Sequence, residues 1–225
     1  MDCGLLGEGI ACSLYDALKR QIAFSPIIIP QKVNQFRYGF SPFSPESSVH
    51  SHDQATVYGC IIECPAVTDE NIAIFGGQRF VSDSVLSPYN AKDISMDLEP
   101  YWCCAANEIR GGYKILSEVV EIFNISFAAR SQLEKLNEHV VVDLHTAPIT
   151  CSGTAHSIMA WFRCELFPGA PILNTSPESK SCWQQAFYPL PKPLYLEKGF
   201  LCTLEVNAFR DHLLCSLRNV IVPEN

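Results

Sequence analysis

A two-residue hydrophobic period recurs along this sequence from residue 55 onward. In "HSIMAWFRCEL", Ile158 and Phe162 fall on one face, and Arg163 and Glu165 fall on the opposite face. Similar segments are "ATVYGCIIEC", "VEIFNISF", "CWQQAFYPL", "FLCTLEVN" and "HLLCSLRNVIV". Because these segments follow one another at short intervals without alternating helices, they predict a mainly β fold, an antiparallel barrel or sandwich.

Residues 1–30 form the first predicted region, a loop followed by a helix. Ser13 stands three residues before Asp16, as in a capping box, and apolar residues recur after it at helical spacing. We therefore predict a helix over residues 13–24. It ends before the prolines of "SPIIIP", since proline cannot continue a helix.

The rest of the chain divides into a loop and one large β domain. Residues 31–54 are rich in Ser, Pro and His and show no periodicity, which predicts a loop that is disordered in part. The β domain extends over residues 55–225 and contains a less regular insertion near residues 89–113.

The composition argues against two classes of partner. With 16 Lys and Arg against 24 Asp and Glu, the formal net charge is −8, and the basic residues form no run. Nucleic-acid binding needs clustered positive charge, so no nucleic-acid partner is expected. A helix that crosses a bilayer needs about 20 consecutive apolar residues. The best candidate, "SIMAWFRCELF", is interrupted by Arg163 and Glu165, so no membrane partner is expected.

The eleven cysteines do not resemble a secreted disulfide framework, because their number is odd and Cys103 and Cys104 are adjacent. The first residues also lack the features of a signal peptide. We therefore expect a reducing, cytoplasmic location, with the nucleus as an alternative. Cys60 and Cys64 have no second pair at zinc-binding spacing, so no metal site is predicted and buried thiols are the simpler interpretation. A cysteine nucleophile is left open, although no local signature supports one.

Three stretches resemble the protein arginine methyltransferase family, in the branch with two methyltransferase modules in tandem. They are "DCGLLGEGIACSLYDAL", "EPYWCCAANEIRGGYKILSEVVEIFNISF" and "MAWFRCELFPGAPILNTSPESKSCWQQAFYPL". The resemblance runs in consistent order over about residues 1–206. It implies the substrate-binding β-barrel of an enzyme that methylates arginine in protein substrates with S-adenosylmethionine. Symmetric dimethylation is the implied product.

The resemblance also implies the site residues. Glu8, between Gly7 and Gly9, corresponds to one of two glutamates that hold the substrate guanidinium, a catalytic and substrate-binding role. Cys182 and Trp183 stand in the substrate-binding pocket loop, which most members write Thr-His-Trp. Read without the resemblance, Glu8 is a solvated acid near the start of a helix, and Trp183 is a core aromatic residue.

The family pattern also predicts what this chain lacks. Its first paired glutamate, nine positions before Glu8, would precede Met1, as would the Rossmann-like cofactor domain. The expectation is therefore a C-terminal segment with no S-adenosylmethionine site, inactive alone. Its apolar lead-in residues would then be exposed: Leu5, Leu6, Leu14 and Leu18. The alternative is a non-catalytic β-barrel protein-interaction module. The oligomeric state, the particular substrate and the degree of methylation are left open.

Overall fold

The computed structural model shows a mainly β chain built from antiparallel sheets. The predicted loop over residues 31–54 lies outside the described part, apart from Gln54. The described residues are 5–6, 10–20, 54–67, 101–127, 129–165, 170–179 and 181–223.

The described helices and strands come in the following order along the chain. They are α1 (Ile10–Lys19), β1 (Gln54–Glu63), β2 (Trp102–Cys104), a 3-10 turn (Ala106–Glu108), β3 (Lys114–Ile115), β4 (Val120–Ser126), α2 (Arg130–Glu138), β5 (Val141–Pro148), β6 (Gly153–Glu165), β7 (Ile172–Asn174), β8 (Gln185–Leu196), β9 (Leu201–Phe209) and β10 (His212–Ile221).

The strands form two antiparallel sheets. In the larger sheet the order is β2-β8-β6-β1-β3, with β4 paired to β1 and β7 paired to β6. In the smaller sheet the order is β10-β9-β5. In the larger sheet, β6 lies between β1 and β8 and pairs with both. The predicted mainly β, antiparallel class is confirmed.

The two sheets approach each other at two places. On one side, the buried Tyr188 hydroxyl of β8 donates a 2.8 Å hydrogen bond to the Leu213 carbonyl of β10. On the other side, the Glu118 amide, just before β4, donates a 2.8 Å hydrogen bond to the Pro148 carbonyl at the end of β5. Both sheets therefore contribute to one main hydrophobic core.

Both faces of β6 are buried, which the alternation in its sequence does not show. Ile158, Ala160 and Phe162 lie in the main core, as predicted from their shared face. Met159 and Trp161, on the opposite face, lie in a second hydrophobic group that includes Cys60, Ile62, Ala106, Ile109 and Phe187, called here the outer cluster. Because Ala106 and Ile109 belong to it, the described end of the irregular insertion covers the outer face of the larger sheet.

Helix α1 begins earlier than predicted. It starts at Ile10, so the exposed Ser13 lies inside the helix and is not its N-cap. The helix begins before Ser13 because Ala11 and Tyr15, four residues apart, are both buried against the main core. The predicted end at residue 24 lies outside the described residues. In the described part, the helix ends at Lys19.

The expected exposure of the lead-in leucines is wrong for Leu5 and Leu6. Both side chains have 0% exposure and belong to the main core, and Leu14 is half-buried and packs on that core. The side chain of Leu18 is outside the described set. The lead-in is packed because α1 lies against α2, where the Tyr15 hydroxyl donates a 3.4 Å hydrogen bond to Glu134 Oε1.

Within the described ranges, none of the helices has the length and apolar character needed to traverse a bilayer.

Candidate functional site

The loop before β8 presents an exposed thiol next to a half-buried indole. The Trp183 amide donates a 2.9 Å hydrogen bond to the Ser181 hydroxyl, which bends the chain around Cys182. The Cys182 side chain is exposed, and the Trp183 side chain is half-buried. The Trp183 ring meets the Phe162 ring edge-on, with centroids 6.4 Å apart and planes at 68°. Trp183 therefore rests on the core through Phe162 while part of its surface faces solvent.

The segment "TSPES", residues 175–179, forms a turn beside this loop that is held by several hydrogen bonds. The Thr175 amide donates a 3.0 Å hydrogen bond to the Phe162 carbonyl, and the Phe162 amide donates one of 3.0 Å to Thr175 Oγ1. The Ser179 hydroxyl donates a 2.7 Å hydrogen bond to the Ser176 carbonyl. These bonds fix the turn to β6 next to the ring that supports Trp183.

One buried polar side chain, Gln185, was missed by the sequence reasoning. Its Nε2 donates a 2.8 Å hydrogen bond to the Thr175 carbonyl, and its Oε1 accepts one of 2.8 Å from the Ala106 amide. A glutamine at the start of an otherwise apolar strand was the available signal, because a buried amide needs partners for both its donor and its acceptor.

An exposed carboxylate, Glu178, lies on the same turn. Burial raises the pKa of the Tyr113 hydroxyl, and the negative charge of Glu178 raises it further. Glu178 also adds to the raised pKa of the Cys60 thiol, after burial. The turn therefore carries negative charge above the outer cluster.

Of the three predicted site residues, the structure describes Cys182 and Trp183. The structure places Cys182 and Trp183 in one loop, as neighbours in sequence must be, and adds Phe162 as the support of the indole. Glu8 lies outside the described residues, so its role is still a prediction. Leu6, two positions before it, lies in the same core as Phe162.

The described cysteines include both free thiols and one disulfide-bonded residue. Cys103 is disulfide-bonded, which differs from the expectation of a fully reduced chain. The free thiols of Cys60, Cys164 and Cys202 are buried. Burial raises their pKa, to about 12 for Cys60 and about 11 for the other two. A protonated thiol is a poor nucleophile, so these three do not suit covalent catalysis.

No group of three or more potential metal-binding side chains occurs within the described ranges. Cys60 and Cys64 are buried, and Cys60 packs in the outer cluster as an apolar side chain. The Cys64 amide donates a 3.2 Å hydrogen bond to His156 Nδ1, so this histidine serves as a hydrogen-bond acceptor.

Because several thiols are buried in the folded chain, we expect alkaline pH to destabilise the fold. The pKa of the Cys60 thiol rises from 9.0 in the unfolded chain to about 12 in the folded state. The protonated thiol therefore makes its full contribution to the free energy of unfolding below pH 9, and this contribution is lost as the pH rises toward 12. In that window, each such thiol should lower the free energy of unfolding by up to about 1.4 kcal/mol per pH unit. Urea denaturation from pH 8.5 to 10.5 in reductant measures the slope.

Cys60→Ala should show a shallower loss of stability with pH than the wild type, whatever its stability at neutral pH. Leu144→Ala, at an exposed position without a titratable group, is the control and should keep the wild-type slope. Equal slopes for all three proteins would contradict the assignment of this titration to Cys60.

No family model matches the chain. Its sequence is nevertheless similar to protein arginine N-methyltransferases, which confirms the resemblance described above. The relatives are protein arginine N-methyltransferase 9 of Homo sapiens, 29% identical over 195 residues, of Mus musculus, 28% identical over 195 residues, and of Xenopus laevis, 25% identical over 202 residues. The matches cover 84% of this chain for the two mammalian proteins and 85% for the Xenopus protein, but only 22% of each relative. The chain thus spans about a fifth of their length.

Proposed function

We propose that this chain is the substrate-binding β-barrel part of a protein arginine methyltransferase. The observation that carries the proposal is the match over 84% of the chain to a human protein named as an arginine methyltransferase. The arrangement of the sheets supports it, because the two sheets approach each other between β8 and β10 and between β4 and β5. A barrel closed along these two lines would enclose the main core.

The proposed ligand is an arginine side chain of a protein substrate. Glu8 would hold the guanidinium through paired, charge-assisted hydrogen bonds, because a carboxylate matches the fork of guanidinium donors. The exposed edge of Trp183 would line the same pocket, and its contact with Phe162 keeps the indole fixed. Cys182 takes the place of the family histidine and leaves more room beside the guanidinium.

S-adenosylmethionine would supply the methyl group. The described residues do not fit its site, because they contain no strand, glycine turn and helix in the order that binds a nucleoside. Their paired-glycine turn, at Gly111 and Gly112 with φ of 89° and 71°, leads from the 3-10 turn into β3. We therefore assign cofactor binding to another part of the enzyme.

The contribution of this chain would be to position the substrate. A guanidinium held at one edge by Glu8 keeps a nitrogen free at the opposite edge, and a fixed orientation removes much of the entropic barrier to methyl transfer. Symmetric dimethylation is the product we propose for the complete enzyme. A β-barrel that only binds arginine-containing proteins is the competing function.

The test joins residues 1–225 to the upstream half of the human relative and measures transfer of labelled methyl from S-adenosylmethionine to an arginine-rich protein. We expect transfer by the joined protein, and neither transfer nor cofactor binding by residues 1–225 alone. The human protein in the same format is the control for the assay. A joined protein that folds and binds the cofactor but transfers no methyl would refute the proposal and favour the binding module.

A further inference from the structure

The side chain that links the parts of the candidate site is Gln185. It is the first residue of β8, lies two positions after Trp183, and is only 4% exposed. Its amide group is used at both ends, by the Thr175 carbonyl and by the Ala106 amide, each at 2.8 Å. A buried glutamine with both partners in place is costly to disturb, since each partner would be left without a hydrogen bond.

These bonds complete a closed ring of contacts around the pocket loop. Phe162 and Thr175 exchange backbone and side-chain hydrogen bonds of 3.0 Å. Thr175 is bonded to Gln185, Gln185 is joined to Trp183 through one residue, and the Trp183 ring returns to the Phe162 ring. Each member of the ring therefore restricts the position of the indole.

We infer that Gln185 is a positioning residue, which holds Trp183 in place and connects the pocket loop to the segment of residues 102–108. The connection is the bond from the Ala106 amide, which lies 79 positions away in the sequence. The effect of Gln185 on catalysis rests on the proposed function, whereas its hydrogen bonds are observed independently of that function. Gln185 is buried, so it acts through Trp183.

The first experiment follows Trp183 directly. The chain contains three tryptophans, so fluorotryptophan labelling gives three fluorine NMR signals, and Trp183→Phe identifies one of them. In Gln185→Leu, the Trp183 signal should shift or broaden. Gln184→Leu, at the exposed neighbouring position, is the control and should leave the Trp183 signal unchanged.

Gln185→Glu adds a test by rescue. At low pH the neutral carboxylic acid has nearly the shape of the amide and can both donate to Thr175 and accept from Ala106. At high pH the carboxylate loses its donor and faces the Thr175 carbonyl. The Trp183 signal of this variant should therefore move toward the wild-type position as the pH is lowered from 8 to 5, whereas the wild-type signal should not change between these values.

Ala106→Pro tests the connection from the other end. It removes the amide that Gln185 accepts from, at the first position of a 3-10 turn, where proline is tolerated. The preceding Ala105 is already extended, with φ −76° and ψ 110°. We expect a change of the Trp183 signal in this variant too. An unchanged Trp183 signal in folded Gln185→Leu and Ala106→Pro proteins would overturn the inference.

The functional readout uses the joined enzyme. Gln185→Leu should raise KM for the arginine substrate about 3- to 10-fold, because a displaced indole would weaken substrate binding, with a smaller effect on kcat. If the wild-type joined enzyme is inactive, the proposed function fails, and the fluorine signals still decide the role of Gln185. If the enzyme is active and KM does not change, Gln185 does not position the substrate site.

Discussion

Glu8→Gln in the joined enzyme should lower turnover by roughly 30- to 1,000-fold, which corresponds to about 2–4 kcal/mol of lost transition-state stabilisation. Glutamine keeps the size of the side chain but offers the guanidinium one neutral oxygen in place of two charged ones. The measurement is kcat for methyl transfer at saturating cofactor. Because only the carboxylate changes, the thermal midpoint should stay close to that of the wild type.

Cys182→Ala distinguishes the proposed role of Glu8 from a catalytic role of the Cys182 thiol. A thiol makes weak hydrogen bonds, and the Cys182 side chain is exposed, so its removal should alter rate or product distribution only modestly. If Glu8→Gln kept most of the activity while Cys182→Ala abolished it, the proposed roles would be wrong. A thiol mechanism would then have to be considered.

Leu6→Ala should destabilise the fold by about 2–5 kcal/mol, the usual cost of emptying a leucine site in a packed core. Leu6 is 0% exposed and lies in the core shared by both sheets. The free energy of unfolding from urea titration at neutral pH is the quantity to compare.

Leu144→Ala provides the matched control, because Leu144 lies on β5 with 55% exposure. The same deletion there should change stability by no more than about 0.5 kcal/mol. Equal effects at the two positions would show that the lead-in does not belong to the core in solution.

The sequence was sufficient for most of the long strands, because alternation over eight or more residues has few other interpretations. Strand β5 (Val141–Pro148) was not predicted. The segments that contain Val57, Phe162 and Leu204 were all predicted as strands and are strands. Helix α2 was missed because it has only nine residues and buries only Leu133 and Leu136. A single pair of that kind is a weak periodic signal.

The burial of the lead-in and of the outer face of β6 could not be predicted from local patterns. Leu5 and Leu6 are buried by residues far away in the sequence, and Trp161 is buried by the insertion, whose irregular sequence gives no indication of its partner. For the site, the resemblance supplied Cys182 and Trp183. Gln185 was missed because its two partners become neighbours only in the folded chain.

The pairing of β1 with β6 has a consequence for how this protein is made. Cys60 of β1 lies opposite Met159 of β6. The edge of β1 that pairs with β6 therefore stays unpaired until the ribosome has added roughly a hundred further residues. At about 5–20 residues per second, that delay is on the order of 5–20 s. During this time a strand that is apolar on both faces is without its main partner on the ribosome. Until β6 emerges, this apolar strand with an unpaired edge is exposed to aggregation.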